Sequence, residues 1–494
     1  MSVTSNSLAL TGFLDNRSKQ MLIDGRWQPA MSSAEFETVN PATGEVIARL
    51  ASGQREDVDL AVLAARRAFN SDWSRWTPHS RRQLLLRIHD LIMANFDELA
   101  LLTTLDMGAP LARTTALKDV VSQVIQLYAS QTAVASTETL QSSIAGQFNA
   151  VLKAPVGVVG GVIPWNGPLV SQWWILGPTL ATGCTAVLKP AEDASLAVLR
   201  VAELLVEAGV PSGVVNVVTG YGTTAGAALA EHPDVDRISF TGSTETGRKI
   251  VQASASNMKR VQLELGGKSP DIIFADADLD KAVPGAAMGV YANSGQVCIA
   301  GTRVLVQRSI YDEFVKRLAD FSRTLTVGNG LDDVDLGPLV SKKQLDRVMR
   351  YIDIGQCEGA RLVCGGKKVV AEAENGFFVE PTVFADVKNN MKIAQEEIFG
   401  PVIAVIPFED EDEAIRLAND TDFGLAGGVW TKNLSTAHRM VQSIKAGTVW
   451  VNCYGAWDAN VGFGGYKMSG YGWKGGAQHV QSFLYEKALY MNVE

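Results

Sequence analysis

Cysteine is scarce in this chain, with five among 494 residues, and no two of them form a CxxC pair. A disulfide framework or a structural zinc site needs paired or clustered cysteines, so neither is indicated. The five histidines are also dispersed, and none lies at ligand spacing from another histidine or a cysteine. We therefore expect no metal centre and a reducing, intracellular environment. The cysteines are Cys184, Cys298, Cys357, Cys364 and Cys453.

Strong charge and long apolar runs are missing as well. The formal net charge is −9 at pH 7, without a block of like charges, so there is no bulk attraction to nucleic acid or anionic lipid. No window reaches the roughly 18 consecutive apolar residues that a membrane span requires. Residues 1–19 are mixed and polar, unlike a secretory signal. These absences predict a cytoplasmic protein without a nucleic-acid or membrane partner.

The chain is long and contains many small residues. A chain of 494 residues with 46 glycines exceeds one ordinary core, and roughly two or three domains are expected. From Ala154 onward, apolar runs alternate with helical patterns, which indicates βαβ units and a doubly wound parallel sheet. A second α/β region begins after Val261. The predicted strands lie near 156–163, 186–189, 214–218 and 237–240, then near 272–274, 303–307, 402–407 and 447–452, with a terminal strand over 478–492.

Cys298 lies in a short loop with a glycine three residues to either side, Gly295 and Gly301. Glycines let the backbone approach a ligand closely, so a cysteine held between them can face a substrate. The loop alone leaves two interpretations open. Cys298 is either a nucleophile or a small buried hydrophobe, which is what most free cysteines are.

Two strand-to-helix turns are candidates for phosphate binding, because a helix N-terminus attracts anions. Gly222 and Gly226 follow a predicted strand, but with one residue more than the dinucleotide pattern GxGxxG, so a plain glycine turn is equally open. The second turn runs through residues 240–243 and offers hydroxyl and amide groups. Two such turns on neighbouring parallel strands favour a dinucleotide site, since ligands gather at the carboxyl ends of strands.

Lys189 closes a predicted strand, and Glu192 and Asn166 follow predicted strands. Lys189 and Glu192 are placed to contact ribose hydroxyls, and the carboxylate would repel a 2′-phosphate. A solvated lysine and an acid at a helix start are the alternative. The amide of Asn166 is suited to stabilising an oxyanion, or it holds its own backbone in an Asx-turn.

Two acidic segments complete the set of candidates. Glu264 is a possible general base if burial raises its pKa, and an ion pair with Lys268 or an exposed position is the alternative. Glu397 could hold ribose hydroxyls while Phe399 packs against a nicotinamide ring. Core packing of Phe399 is the other interpretation.

These segments together resemble the aldehyde dehydrogenase superfamily. The matching motifs stand in the family's order and cover most of the chain, and with them the nucleophile interpretation of Cys298 is favoured. They are Ile163-Pro-Trp-Asn166, Lys189-Pro-x-Glu192, Phe240-Thr-Gly-Ser243-Thr, Glu264-Leu-Gly-Gly-Lys268, Gly295-Gln-x-Cys298, Glu396-Glu-Ile-Phe-Gly-Pro401 and Phe463-Gly-Gly-Tyr-Lys-x-Ser-Gly470.

The resemblance implies an α/β fold with a Rossmann-like dinucleotide-binding domain, a second α/β catalytic domain and a small β oligomerisation domain, assembled as a homodimer or homotetramer. We expect the first domain in residues 1–119 and 148–258 and the second in 259–466. The oligomerisation domain is expected in 120–147 and 467–494.

The resemblance also implies a mechanism and a cofactor. The Cys298 thiolate attacks an aldehyde, Asn166 stabilises the oxyanion, and Glu264 activates the water that hydrolyses the resulting thioester to a carboxylic acid. Glu192 favours NAD over NADP. The expected cofactor site comprises Ile163, Pro164, Trp165, Asn166, Lys189, Glu192, Gly222, Gly226, Phe240, Thr241, Gly242, Ser243, Thr246, Glu264, Leu265, Gly266, Cys298, Glu397 and Phe399.

Two positions depart from the family pattern. Many members carry Phe where this chain has Gly167, and the smaller residue opens space for an apolar or bulky aldehyde. Many carry Arg-Glu-Leu-Gly where this chain has residues 473–476, so Lys474 replaces the acid that a proton relay through that place would use. The residues expected to line the substrate site are Gly167, Trp173, Trp174, Trp457 and Phe463.

Alternative functions stay open at this point. A CoA-acylating enzyme would release the thioester to CoA and would not need Glu264, and a semialdehyde dehydrogenase would take a charged substrate. An inactive protein on the same scaffold would be expected to lose Cys298, Glu264 or Asn166, and all three are present.

Overall fold

The computed structural model describes residues 12–15, 17–133, 138–369 and 375–494. The prediction that residues 1–19 are not a secretory signal falls largely on residues 1–11, which lie outside the described residues. Within the described ranges, no helix has both the length and the apolar character needed to cross a membrane.

The first large sheet has eight strands, and the five at its centre are parallel. The chain enters this parallel part at Val158–Ile163, adds strands on one side, and then returns to add Arg237–Thr241 on the other. The predicted doubly wound sheet is confirmed, and ligands bind outside the carboxyl ends of strands at such a reversal. The order is Arg26–Gln28, Met21–Ile23, Val215–Val217, Thr185–Pro190, Val158–Ile163, Arg237–Thr241, Arg260–Glu264 and Gly470–Tyr471.

Helices cover both faces of this sheet because its strands are apolar on both sides. Val159 and Leu188 are buried in one core, while Val158 and Val187 are buried in the core on the opposite face. The helices around the sheet are Arg55–Phe69, Pro78–Ala94, Phe96–Met107, Leu111–Ser130, Pro168–Ser171, Trp173–Thr182, Leu196–Glu207, Ala227–Glu231 and Thr244–Ser254.

The second large sheet has seven strands, all parallel except the edge strand Arg361–Cys364. It too is buried on both faces, with Leu305 in one core and Val304 in the other. Its order is Arg361–Cys364, Thr382–Ala385, Val402–Phe408, Arg303–Gln307, Pro270–Ile273, Ala426–Trp430 and Thr448–Val451. Its helices are Leu279–Tyr291, Tyr311–Thr324, Lys342–Cys357, Lys392–Gln395, Glu411–Asn419 and Leu434–Ser443.

Three small sheets complete the described fold. A three-stranded antiparallel sheet joins Glu138–Leu140, Gln147–Pro155 and Leu484–Asn492. Two-stranded pairs join Glu35–Val39 to Val46–Ala51 and Phe423–Gly424 to Tyr466–Lys467. The assembly of this chain into dimers or tetramers stays a prediction.

Two features bear on the predicted domains and elements. The helix Leu111–Ser130 runs across the expected boundary at residue 120 and buries Val124 and Tyr128 in the core of the eight-stranded sheet. The domain division stays a prediction. The strand predicted over 478–492 is wrong in its first part, where a short helix, Gly476–Gln481, buries His479.

Candidate active site

A cleft of about 1040 Å³ lies where the two large sheets meet. The eight-stranded sheet contributes residues that follow the carboxyl ends of its strands, at the point where the strand order reverses. The seven-stranded sheet contributes residues that precede the amino ends of its strands. Every predicted cofactor residue except Gly226 lines this cleft.

The backbone before Cys298 is strained. Asn293, Ser294 and Gly295 are three successive left-handed residues, with φ of 54°, 55° and 74°. Such dihedrals cost a non-glycine residue about 1–3 kcal/mol and persist where the surroundings fix them. A Cβ at Gly295 would collide with the carbonyl group of Gly400. Glycine is therefore required at that position by both conformation and space.

Hydrogen bonds from distant segments hold this loop in place. Ser294 Oγ donates to the carbonyl of Gly337 at 2.7 Å. The Gln296 side chain accepts the amide of Val340 at 2.9 Å. These bonds fix the position from which Cys298 enters the cleft.

The Cys298 side chain is partly exposed and lines the cleft, so the buried-hydrophobe interpretation does not hold. Removal from solvent raises the pKa of the thiol, the charges of Glu397 and Glu264 raise it further, and Lys474 lowers it. The thiol is therefore protonated at neutral pH in this arrangement. Because the thiolate is the nucleophilic form, Cys298 needs a base.

Asn166 connects the end of the strand Val158–Ile163 to the cysteine loop. Its Nδ2 donates to the carbonyl of Gln296 at 3.0 Å, and Asn293 Nδ2 donates to the Asn166 carbonyl at 3.3 Å. The Asx-turn alternative is wrong, since the side chain reaches across to another segment. An amide has two N–H groups, which leaves one for a ligand.

Glu264 is the last residue of the strand Arg260–Glu264 and is only 3% exposed. Neither carboxyl oxygen has a hydrogen-bond partner within the described residues, and the ammonium of Lys268 has none there either. The ion-pair and surface alternatives are therefore wrong. Burial raises the pKa of Glu264 to about 8, against a lowering by Lys474.

Glu397 and Phe399 face the cleft from the other sheet. Glu397 Oε1 accepts the amide of Gly267 at 3.2 Å, and Gln344 Nε2 donates to the Phe399 carbonyl at 2.7 Å. Burial raises the pKa of Glu397 to about 7. Phe399 packs edge-on against Trp165 with 5.2 Å between ring centroids. Phe399 is thus a cleft residue and not a core residue.

Lys189 and Glu192 form an ion pair of 2.8 Å at the edge of the cleft. Lys189 is 2% exposed, so the solvated-lysine alternative is wrong. Burial raises the pKa of Glu192, the charge of Lys189 lowers it, and the net direction is down. Glu192 is therefore an ionised carboxylate at neutral pH.

Two helix starts frame the same part of the cleft. Ser243 caps the helix Thr244–Ser254, and its Oγ accepts the amide of Thr246 at 3.3 Å. Gly222 opens a π-helical turn and lines the cleft. Gly226 lies behind it, where a Cβ would come 3.9 Å from the Lys189 side chain.

The predicted substrate residues separate into different environments. Trp174 and Phe463 stack with 6.2 Å between ring centroids. A Cβ at Gly167 would meet a single side-chain atom, at 3.8 Å, so the space beside Asn166 is open. Trp457 is half-buried against the core of the eight-stranded sheet.

Trp173 departs from expectation because its side chain is completely buried. It begins the helix Trp173–Thr182 and packs into the core of the eight-stranded sheet. Trp174 is one residue further along the helix and therefore points in another direction. A core residue does not contact a substrate, so we remove Trp173 from the candidate site.

The helix Lys342–Cys357 supplies cleft residues that the sequence analysis missed. Lys343, Arg347 and Arg350 line the cleft from this helix. Their recurrence at helical spacing was a signal in the sequence. A row of cations suits a ligand that carries phosphates.

Comparison with known proteins first defines the class. The family model described as the aldehyde dehydrogenase family matches residues 27–489. The mitochondrial aldehyde dehydrogenase of Homo sapiens is 47% identical over 480 residues, which covers 96% of this chain and 92% of that protein. This chain belongs to the aldehyde dehydrogenase family, which confirms the resemblance predicted from its motifs.

Solved structures agree over the whole fold. Betaine aldehyde dehydrogenase from Staphylococcus aureus in complex with NAD+ gives a TM-score of 0.97 at 40% identity, covering 100% of this chain and 98% of that one. A point mutant of the same enzyme, with NAD+ and a BME-modified cysteine, gives a TM-score of 0.94 at 40% identity over 96% of this chain and 97% of that one.

Proposed function

We propose that this protein oxidises an aldehyde to its carboxylic acid with NAD, through a thioester on Cys298. One observation carries the proposal. The thiol of Cys298, the amide of Asn166 and the carboxyl group of Glu264 open into one cleft, although they come from separate segments. A nucleophile, an oxyanion donor and a base around one cavity are the parts that acyl chemistry requires.

In the first half of the reaction, the sulfur of Cys298 bonds to the aldehyde carbon and the thiol proton passes to a base. Glu264 is the available base, since its carboxyl group is buried, has no hydrogen-bond partner within the described residues and has its pKa raised to about 8. The carbonyl electrons move to oxygen, and the remaining N–H of Asn166 and the backbone amide of Cys298 stabilise that charge.

The cleft also fits a dinucleotide. It combines a large volume, a helix N-terminus behind Ser243 and the ionised Glu192 beside Lys189. NAD held by these residues would supply a hydride acceptor, and loss of hydride from the adduct on Cys298 would leave a thioester. Glu192 would accept hydrogen bonds from ribose hydroxyls and repel a 2′-phosphate, so we infer a preference for NAD over NADP.

In the second half, Glu264, after releasing the thiol proton to solvent, takes a proton from water as the water oxygen attacks the thioester carbon. The carbon–sulfur bond breaks, the carboxylic acid leaves and Cys298 is regenerated. The base has to be ionised for this step, so hydrolysis is expected to accelerate as pH rises towards the pKa of Glu264.

The substrate is inferred to be apolar or bulky. Gly167 leaves space beside Asn166, and the stacked rings of Trp174 and Phe463 offer an apolar surface nearby. An aromatic or long aliphatic chain would gain from burial against such rings.

A panel of aliphatic, aromatic and charged aldehydes, each with NAD and with NADP, tests the proposal through the absorbance of the reduced cofactor. We expect turnover with NAD, strongest for apolar aldehydes, and a free acid as product. A clear preference for a charged semialdehyde contradicts the substrate inference. Formation of an acyl-CoA when CoA is added would contradict hydrolysis.

A further inference from the structure

Lys474 is a buried cation that the mechanism above does not use. The residue is 1% exposed, although a lysine is rarely buried without a partner. Its ammonium donates to Thr241 Oγ1 and lies 5.0 Å above the ring of Trp174. Burying an ammonium group costs free energy, so the presence of a buried lysine here is poorly explained by a contribution to stability alone.

The backbone fixes Lys474 beside Glu264. Lys474 and Phe463 exchange two backbone hydrogen bonds, each of 2.7 Å. Thr241, which holds the ammonium, is the direct register partner of Glu264 on the adjacent strand. The ammonium is therefore held at the end of the strand pair that presents the carboxyl group.

The charged and titratable groups around Lys474 are few. Burial lowers the pKa of Lys474 to about 8, Glu264 and Cys298 raise it, and Arg237 lowers it. His479 lies nearby but is neutral, because burial holds its pKa well below the ordinary value. Arg237 donates to Gln262 Oε1 at 2.9 Å and so has its own acceptor. Glu264 is thus the carboxyl group whose charge acts on Lys474, and no hydrogen bond joins the two side chains within the described residues.

We propose that the positive charge of the Lys474 ammonium favours the ionised form of Glu264 during hydrolysis of the thioester. Lys474 is then a positioning residue that acts through Glu264 and does not touch the substrate. This inference rests on the proposed function, in which Glu264 is the base. Many family members carry an acid at this place, so the device is a property of this chain.

The direction of the effect follows from charge. A nearby ammonium lowers the pKa of a carboxyl group, so removing it raises that pKa, and the base stays protonated and inactive up to a higher pH. Steady-state turnover reports hydrolysis where this step is slow, whereas the first-turnover burst of NADH precedes it. Because Glu264 also takes the thiol proton in the first half of the reaction, and because Lys474 lowers the pKa of Cys298, both the burst and the turnover should slow in the variant.

The experiment compares Lys474→Met and Lys474→Arg with the wild type, using full-length protein, saturating NAD and the best aldehyde of the panel. In Lys474→Met we expect the acid limb of the turnover profile to move up by about 1–3 pH units. Turnover at pH 7 should fall about tenfold or more, since one pKa unit is a factor of ten in the ionised fraction. Lys474→Arg keeps the charge and should stay close to the wild type.

Lys259→Met is the matched control. Lys259 is also a buried lysine, but its ammonium donates to the carbonyls of Ala230 at 2.6 Å and His232 at 2.8 Å, away from the cleft. Loss of this charge should leave the acid limb unmoved. If Lys474→Met does not fold, Thr241→Val removes the acceptor of the ammonium and should shift the limb in the same direction by a smaller amount.

The outcomes separate the two proposals. A wild type without turnover on any aldehyde overturns the proposed function, and this inference with it. If the wild type turns over normally and the acid limb does not move in Lys474→Met, the role of Lys474 is overturned and the proposed function stands. If Lys474→Met does not fold, an unmoved acid limb in Thr241→Val has the same meaning. An equal shift in Lys474→Arg and Lys474→Met also overturns it, because only one of them loses the charge.

Discussion

The two large sheets meet the cleft with opposite edges. The eight-stranded sheet presents the carboxyl ends of its strands, where short turns lead into helix starts and Ser243 caps a helix in the usual way. The seven-stranded sheet presents the amino ends, and the segments that carry its cleft residues contain left-handed backbone, with φ of 55° at Ser294 before Cys298 and 62° at Phe399. On one side of the cleft, the order of the strands is enough to create a ligand-binding edge. On the other side, that edge depends on backbone that local contacts hold in left-handed conformations.

This difference suggests a division of work. Strand ends at a topological reversal provide a binding crevice without special conformations. The edge that carries Cys298 needs left-handed residues held by contacts with distant segments, and strain of this kind clusters at reactive sites. Glycine substitutions at the strained edge should therefore disturb stability and the position of Cys298, and changes around Glu192 at the other edge should disturb cofactor binding and selection.

The largest expected effect is that of Cys298→Ala. Without the sulfur no thioester forms, so kcat should fall by about 10⁴-fold or more, while NAD still binds. Stopped-flow absorbance for NADH and fluorescence titration with NAD measure the two properties. Cys453→Ala, at an exposed cysteine, is the control and should remain active. Comparable activity in both variants contradicts the nucleophile assignment.

Next in size is Gly295→Ala, which tests the strained edge directly. The new Cβ collides with the Gly400 carbonyl at a left-handed φ, so the Cys298 loop must shift. A displacement of about 1 Å costs about 100-fold in turnover, and the free energy of unfolding should drop by about 1–3 kcal/mol. Denaturant titration and turnover measure these losses.

Gly222→Ala at the opposite edge is the matched substitution. A Cβ at Gly222 meets nothing within 4 Å, so the free energy of unfolding should change by no more than about 0.5 kcal/mol. Equal destabilisation by the two glycine variants would remove the contrast between the edges.

A smaller effect is expected for Glu192→Gln, which keeps the shape and removes the charge. NAD binding should weaken by about tenfold through loss of a charged hydrogen bond. The NADP constant should improve, because a 2′-phosphate no longer meets a carboxylate. Separate titrations with the two cofactors give the ratio, with Glu207→Gln at an exposed site as the control. An unchanged ratio would show that Glu192 does not select the cofactor.

An effect of similar size, confined to bulky substrates, is expected for Gly167→Phe, which fills the open space beside Asn166. Its kcat/KM for an aromatic aldehyde should drop about tenfold or more, as apolar pockets discriminate by roughly 10–200-fold. Acetaldehyde should be affected much less and serves as the internal control. Equal losses for both aldehydes would indicate a misplaced Asn166 and not a filled pocket.

Much of the fold could be predicted because buried parallel strands are continuous apolar runs. The runs around Val158–Ile163 and Arg303–Gln307 gave both sheets their central strands. The strand Ala426–Trp430 was missed because its two internal glycines weaken the strand pattern, although its neighbours bury it completely. Its pairing depends on contacts remote in sequence.

The site was predictable in its residues and less so in its geometry. The sequence motifs were enough to assign Asn166, Glu264 and Cys298 to one site. The left-handed backbone at Asn293 was not predictable, since it depends on packing against segments more than forty residues away, such as the Ser294 bond to Gly337. Trp173 and Trp174 are adjacent and identical in type, so only their directions on the helix decide which side chain is buried in the core.

The C-terminal segment carries a consequence for biosynthesis. The strand Gly470–Tyr471 pairs with the strand that ends in Glu264, and Gln262 Nε2 donates to the carbonyl of Trp473 at 2.7 Å. Translation proceeds from the N-terminus, so these partners emerge from the ribosome later than both Glu264 and Cys298. A nascent chain would carry Cys298 well before the surroundings of Glu264 are complete, and the thiol should gain its full reactivity only once residues 470–473 have paired with the Glu264 strand.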